Sequence, residues 1–334
     1  MSRTDEEVLA VRRAAGLFEL ADRGLLEIVG SDARRWLNGM LTNDVASLAE
    51  GPERSGCPAL VLTNKGRIVA DVQVLLVPPG FWLETAQAAV PDLLERLSKL
   101  VIADDVRLTE KTGEIARFGL EGPGSRAVLE RVLGTPLALA PGACAQAVIA
   151  GAAILIARYG WSGEDAYQLF VPCASAASVR ERLLAPLPGG AATPCSAAAL
   201  EVLRIEAGRP RLFAELSQEV LPPEARLEGS ISYTKGCYTG QEIVARLRSR
   251  GHVNHLLVGL RFEAGALPER GAALQTGGST VGEITSAAHS PLAGAIALAF
   301  VRVGHDAPGT QLEVAGARAR VAALPFVAPS EPAP

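Results

Sequence analysis

Apolar and polar positions along the chain alternate in short runs, now with a strand period and now with a helix period. Gly24–Gly30 reads as a strand with Leu26 and Ile28 on one face. A helix opened by Ser31 or Asp32 follows, carrying Trp36, Leu37, Met40 and Leu41 at helical spacing. Ala59–Asn64 and Arg67–Val77 predict a hairpin about Asn64-Lys65-Gly66. In its second strand Ile68, Ala70, Val72, Val74 and Leu76 share a face, which puts Asp71 and Gln73 on the other, able to point into a cleft. Phe81–Thr85 is a further strand. Pro91 opens a helix whose apolar stripe is Val90, Leu93, Leu94, Leu97 and Val101, and Val106 and Leu108 start the next strand.

A second unit repeats this texture. Ile115–Leu120 reads as a strand, and Gly122-Pro123-Gly124 leads into a helix with Ala127, Val128, Val132 and Leu133. Ala147–Tyr159 and Ala166–Val171 read as strands around the turn Trp161-Ser162-Gly163-Glu164-Asp165, and Ala174–Leu184 as a helix. This order predicts an α+β fold rather than a doubly wound sheet. Pro186–Pro194 is a Pro/Gly/Ala linker, and Ser196–Gly208 is helical with Gly208 as its stop. From His255 to Leu324 short strands (Leu256–Phe262, Gly282–Ser286, Ala295–Val303 and Gln311–Val314) alternate with Gly-rich turns, which predicts a small β-barrel. A Pro/Ala-rich tail ending at Glu331–Pro334 is expected to be disordered.

Composition narrows the function. The 334 residues hold 32 Lys plus Arg against 36 Asp plus Glu, a net charge of −4, which argues against a dedicated nucleic-acid binder. No apolar run reaches the roughly 18 residues of a membrane helix, and Met-Ser-Arg-Thr-Asp-Glu-Glu is not a secretory signal, so a cytoplasmic protein is expected. Cys57, Cys144, Cys173, Cys195 and Cys237 are odd in number and scattered, which suits a reducing compartment and fits no common zinc or iron–sulfur spacing; no metal site is expected.

The sharpest local feature is Lys235-Gly236-Cys237-Tyr238-Thr239-Gly240-Gln241-Glu242. Two glycines bracket a thiol in a tight loop, and Lys235, Arg246 and Arg248 are near in sequence, where positive charge favours the thiolate. A small buried cysteine accounts for Cys237 equally well, and a solvated helix or loop face for Arg246, Arg248 and Arg250.

This octapeptide resembles the signature of the YgfZ-type folate-binding proteins, which assist iron–sulfur protein maturation. Their wider superfamily includes the T-protein of the glycine cleavage system, a tetrahydrofolate-dependent aminomethyltransferase. Gly16-Leu17-Phe18-Glu19-Leu20, Leu41-Thr42-Asn43-Asp44-Val45, Gly66-Arg67-Ile68-Val69-Ala70-Asp71, Gly160-Trp161-Ser162-Gly163-Glu164-Asp165, Leu203-Arg204-Ile205-Glu206-Ala207-Gly208 and Val281-Gly282-Glu283-Ile284-Thr285-Ser286 resemble T-protein motifs in the expected order. The resemblance implies two ferredoxin-like lobes and a C-terminal barrel around a central folate channel. The first lobe would take residues 1–110 with 195–250, the second 111–194 and the barrel 251–325, with 326–334 as the tail. It implies tetrahydrofolate or a derivative as cofactor. Asp71, Glu164 and Gln168 would serve the pterin end, with Arg204 and Arg246 as contacts for the glutamate tail. A solvated strand face is the plain alternative for Asp71, a turn for Glu164, and an ion pair with Glu201 or Glu206 for Arg204.

Two departures from the T-protein pattern bear on activity. Ala70 replaces the first member of an acidic pair, leaving Asp71, and Gln168 stands where a Glu is usual. An amide binds a pterin but supplies no charge to a developing cation. These departures, with Cys237, favour a tetrahydrofolate-binding accessory factor for iron–sulfur clusters of client enzymes or assembly proteins, with Cys237 as functional thiol. The alternative is a folate-dependent aminomethyltransferase-type enzyme with Asp71 as its carboxylate.

Overall fold

The computed structural model describes residues 1–53, 55–186, 191–263 and 267–330; part of the expected linker, 187–190, and the end of the expected tail, 331–334, lie outside the described residues, as does the side chain of Arg250. The strands are β1 (Gly16–Glu19), β2 (Arg23–Val29), β3 (Gly56–Leu62), β4 (Ile68–Val77), β5 (Gly80–Ala86), β6 (Arg107–Glu110), β7 (Ile115–Glu121), β8 (Cys144–Ile149), β9 (Ala152–Ala157), β10 (Ala166–Pro172), β11 (Thr193–Cys195), β12 (His255–Phe262), β13 (Ala273–Thr276), β14 (Ser279–Ser290), β15 (Gly294–Arg302), β16 (Gln311–Val314) and β17 (Ala317–Ala322). The α-helices are α1 (Arg3–Arg13), α2 (Ala33–Met40), α3 (Val90–Ser98), α4 (Ser125–Leu133), α5 (Ala176–Leu184), α6 (Ala197–Glu206) and α7 (Gln241–Arg250). None is long and apolar enough to cross a membrane.

The expected α+β architecture and terminal barrel are both present. The first sheet runs β3-β4-β5-β2-β6. The face of β4 carrying Ile68, Ala70, Val72 and Val74 is buried with Trp36 and Leu37 of α2 and Leu93 and Leu97 of α3. The second sheet runs β11-β1-β7-β10-β9-β8. Its outer face buries Leu120, Tyr167 and Leu169 with Val128 of α4 and Val179 of α5. The inner faces of the two sheets meet through Leu25, Leu75, Leu155 and Phe170. The last six strands close into a barrel, β12-β15-β14-β13-β16-β17.

Several elements differ from the sequence reading. β1 pairs with β7 and β11, so residues 16–19 belong to the second sheet although they precede the whole of the first. Helix α1 carries a capping box at Ser2 and Asp5 and packs Val8 and Val11 against Val202 and Leu203 of α6. The run Ala147–Tyr159 is not one strand. It turns at Ala150 and Gly151, both at positive φ (51° and 79°), as the two-residue turn of the β8–β9 hairpin. Ala150 lacks the Asn or Asp that usually announces such a turn.

Residues 326–330 are not disordered. Phe326 is buried, its N–H donates to the Glu206 carbonyl (2.7 Å), and Ser330 N donates to Glu164 Oε2 (2.9 Å). Gly259 on β12 makes room for the ring, since a Cβ there would lie 2.6 Å from Phe326 Cζ. Phe326→Ala is expected to lower the unfolding free energy by about 3 kcal/mol, read from urea melts. A loss below about 0.5 kcal/mol, the range of surface changes, would show that the docked tail contributes nothing.

Candidate functional site

The period of β4 sends Asp71 and Gln73 toward the second sheet, opposite the face that carries Ala70. Gln73 pairs in register with Glu84 on β5, and Glu84 with Leu25 on β2, so Arg23 falls on the same face two residues before Leu25. Arg23 clamps Glu84 through Nε and Nη2 (Nη2 to Oε2, 2.9 Å). From the second sheet, Arg117 brings Nη1 to 3.4 Å from Glu84 Oε1, lies 3.6 Å over the Phe170 ring and donates Nη2 to Tyr159 Oη (3.2 Å). Arg23 in turn lies 5.1 Å from the Trp161 ring centroid.

A cavity of about 520 Å³ occupies this end of the inter-sheet space. Asp71, Gln73 and Glu84 line it from the first sheet, Tyr159 and Trp161 supply aromatic surface, and the connection after α6 adds Arg209 and Arg226. A second cavity of about 290 Å³ shares Arg23 and Trp161 with it. Two buried atoms in the wall have no hydrogen-bond partner, Asp71 Oδ1 and Gln73 Nε2. Burial pushes the Asp71 carboxyl above the usual range; the Arg23 charge opposes this and the Glu84 charge adds to it. Burial works against ionising Glu84 as well, but the Arg23 and Arg117 guanidiniums outweigh it and hold Glu84 below its usual range.

The other predicted site residues lie elsewhere. Gln168 is buried on β10, with Nε2 donating to the Tyr159 carbonyl (3.0 Å) and Oε1 without a partner. Glu164 is paired with Arg12 (2.6 Å) and Ser330. Arg204 lines the smaller cavity but spends all five donors: on Glu201 twice, on Glu215, on Ser286 and on the Arg209 carbonyl. Its carboxylate partners are thus Glu201 and Glu215, whereas Glu206 pairs with Arg12 (2.7 Å). Arg246 is exposed on α7. Of the residues read from sequence as facing a cleft, Asp71 and Gln73 line the central cavity. Arg23, Glu84 and Arg117 were missed because a charge inside a strand reads as a solvated position.

The octapeptide makes a brace. Lys235 Nζ donates to the carbonyls of Asn38, Leu41 (2.7 Å) and Asn43 (2.9 Å) at the end of α2, and sits 5.3 Å from the Tyr238 ring centroid. Burial draws its amine down to about 8, with Asp44 and Cys57 opposing. The cation expected to activate Cys237 is thus turned into the fold. Gly236, Cys237 and Glu242 are exposed, whereas Tyr238 is buried and its N–H donates to Gln241 Oε1 (3.2 Å). Gly240, at φ +84°, lets the loop pass Thr63, whose carbonyl oxygen would lie 2.7 Å from a Cβ at that position. Cys237 does not line the central cavity.

Two sheets packed face to face around a cavity, followed by a closed six-stranded barrel, define the fold class of the glycine cleavage T-proteins. The GCVT N-terminal domain matches residues 1–235 and the glycine cleavage T-protein C-terminal barrel domain residues 256–329. The aminomethyltransferase of Streptomyces avermitilis is 32% identical over 333 residues, covering 96% of this chain and 88% of that protein; that of Symbiobacterium thermophilum is 32% identical over 335, with the same coverage. The glycine cleavage system aminomethyltransferase T of Bartonella henselae superposes with a TM-score of 0.86 over 97% of this chain and 89% of that one, at 24% identity. The chain belongs to the glycine cleavage T-protein family.

Removing the Lys235 ammonium leaves three carbonyls to find other partners. Lys235→Met is expected to cost about 1–3 kcal/mol and to release the 235–240 loop. Alkylation of Cys237 in the folded protein should speed up relative to the exposed Cys173, and an unchanged ratio would show that Lys235 does not restrain the loop.

Proposed function

We propose that this protein binds a tetrahydrofolate in the cavity between its sheets and serves transfer of a one-carbon unit from an aminomethyl or methylamine donor. The observation that carries the reading is the pair of orphaned atoms on β4. Asp71 Oδ1 is a free acceptor site, or a donor when protonated, and Gln73 Nε2 is a free donor two residues on. A pterin edge presents adjacent donors and acceptors that such a pair can read. Tyr159 and Trp161 offer the ring a wall, and Arg209, exposed at the cavity, is a cation for the glutamate tail. Tetrahydrofolate would supply the nitrogens that carry the one-carbon unit; the chain's own part is to bind, orient and exclude water. Family relatives named as aminomethyltransferases support the transferase reading. So does the place of Ala70: its side chain is buried in the core on the far side of β4, so an apolar residue there takes nothing from the cavity.

A second reading, the YgfZ-type accessory role toward iron–sulfur enzymes, is favoured by one observation: the Cys237 thiol is exposed on a loop braced from behind by Lys235.

Anaerobic calorimetric titration with tetrahydrofolate is expected to give saturable binding, weakened at least tenfold (about 1.4 kcal/mol) by Asp71→Ala. Absence of saturable binding overturns the folate reading. With binding established, methylene-tetrahydrofolate should form when the aminomethyl-loaded carrier protein of glycine cleavage or an N-methylated amine is supplied. Binding without turnover moves the assignment to the accessory role. For that role, Cys237→Ser must fail to restore iron–sulfur enzyme activity in cells lacking the gene; full restoration removes the thiol from it.

A further inference from the structure

The geometry points to a division between two carboxyl groups: Glu84 carries the buried negative charge, and Asp71 meets the ligand as a neutral carboxylic acid that donates a hydrogen bond. The inference rests on the folate reading of the cavity and goes beyond it by assigning the protonation state of the contact and the residue that sets it.

Asp71 lies two residues before Gln73, whose partner across the β4–β5 ladder is Glu84, so the two carboxyl groups are diagonal neighbours on one face. Glu84 is matched twice over, by the two-donor clamp of Arg23 and by Arg117 at 3.4 Å. Among the described residues no cation lies within ion-pair distance of Asp71, and its Oδ1 has no hydrogen-bond partner. The charged and titratable groups around the cavity are Arg23 from β2, Glu84 from β5, Arg158 and Tyr159 after β9, and Arg209 and Arg226 from the connection after α6. Arg158 is held by Asp165 (2.8 Å) and the Leu139 carbonyl (2.8 Å), and Arg226 donates Nε to the Leu257 carbonyl (2.8 Å). Arg23 is committed to Glu84. A second negative charge beside Glu84 would face like-charge repulsion in a space already costly for ions, so the proton resides on the unmatched partner. The direction of both carboxyl shifts agrees.

Two consequences follow for the ligand and for Glu84. The ligand atom that meets Asp71 is an acceptor, a carbonyl oxygen or an unprotonated ring nitrogen. Glu84 is a positioning residue, acting through Asp71.

The test is a pH titration of ligand-free protein carrying ¹³C at the aspartate carboxyls, with the Asp71 signal identified by its loss in Asp71→Asn. Asp71 is expected to keep its proton through the ordinary carboxylate range, and Glu84→Gln is expected to move the Asp71 midpoint to lower pH. Titration of Asp71 within the ordinary carboxylate range overturns the assignment. An unmoved midpoint in folded Glu84→Gln overturns the role of Glu84. Should that variant not fold, the wild-type titration and a binding measurement still decide. Asp71→Asn keeps a donor in place, so its tetrahydrofolate affinity should stay within about threefold of wild type; a loss as large as that of Asp71→Ala shows that a charge was needed and overturns the proposal. Because the titration contains no folate, a raised midpoint in a protein that binds no folate removes the folate reading alone.

Discussion

A carboxylate held between two guanidiniums in a protein interior persists only when its geometry and remaining hydrogen bonds repay the loss of water. Glu84 comes near that condition, clamped by Arg23 and approached by Arg117, although Arg117 Nε and Nη1 keep no hydrogen-bond partner. At one end Leu25, Leu75, Leu155 and Phe170 let the inner faces touch. At the other, Arg23, Glu84 and Arg117 put charged groups between the sheets in place of apolar contact. The Phe170 ring is the seam, packed in the apolar cluster and lying under the Arg117 guanidinium. The central cavity is the volume left open at that end, and its two orphaned atoms lie on β4, the sheet neighbour of the strand that carries Glu84.

The cavity and the cysteine loop are separate places joined by one hairpin. Ile243 of α7 packs on Gly66, at the tip between β3 and β4, and Gly240 lies against Thr63. Asp71 is on the outgoing strand of that same hairpin. Lys235 fastens the other side of the loop to the end of α2, whose Trp36 and Leu37 lie in the core beneath β4. The loop thus touches the hairpin that carries Asp71, although Cys237 itself is absent from the cavity wall.

How much of this was legible in the sequence depended on whether one local period carried the signal. The alternation over 68–77 was enough to place Asp71 and Gln73 opposite Ala70, because a strand has two faces and one was plainly apolar. The barrel was legible as a texture, but β13 and β17 were not: one is four residues among glycines, the other alternates arginine with alanine. The recruitment of β1 to the second sheet left no local trace, since its parallel partner β11 lies far along the chain. Arg204 shows the limit most clearly. Its motif was legible, but its five donors are filled by residues scattered from 201 to 286, and no spacing rule counts them.

Family membership establishes the scaffold and leaves the chemistry to the side chains that line the site. Here the two positions read from sequence as departures from the T-protein pattern have unequal weight. Ala70 is structurally silent toward the cavity, because its side chain belongs to the opposite face. Gln168 is different: it is buried, one amide bond is used on the Tyr159 carbonyl, and its Oε1 is left over. A neutral residue there adds no charge to an interior that already holds Glu84 between the Arg23 and Arg117 guanidiniums. A glutamate would bring another buried carboxylate near Glu121, whose Oε1 lies 3.5 Å from Gln168 Nε2, and that carboxylate would need a cation of its own. An amide at 168 thus suits this interior, and the carboxyl groups that line the central cavity are Asp71 and Glu84.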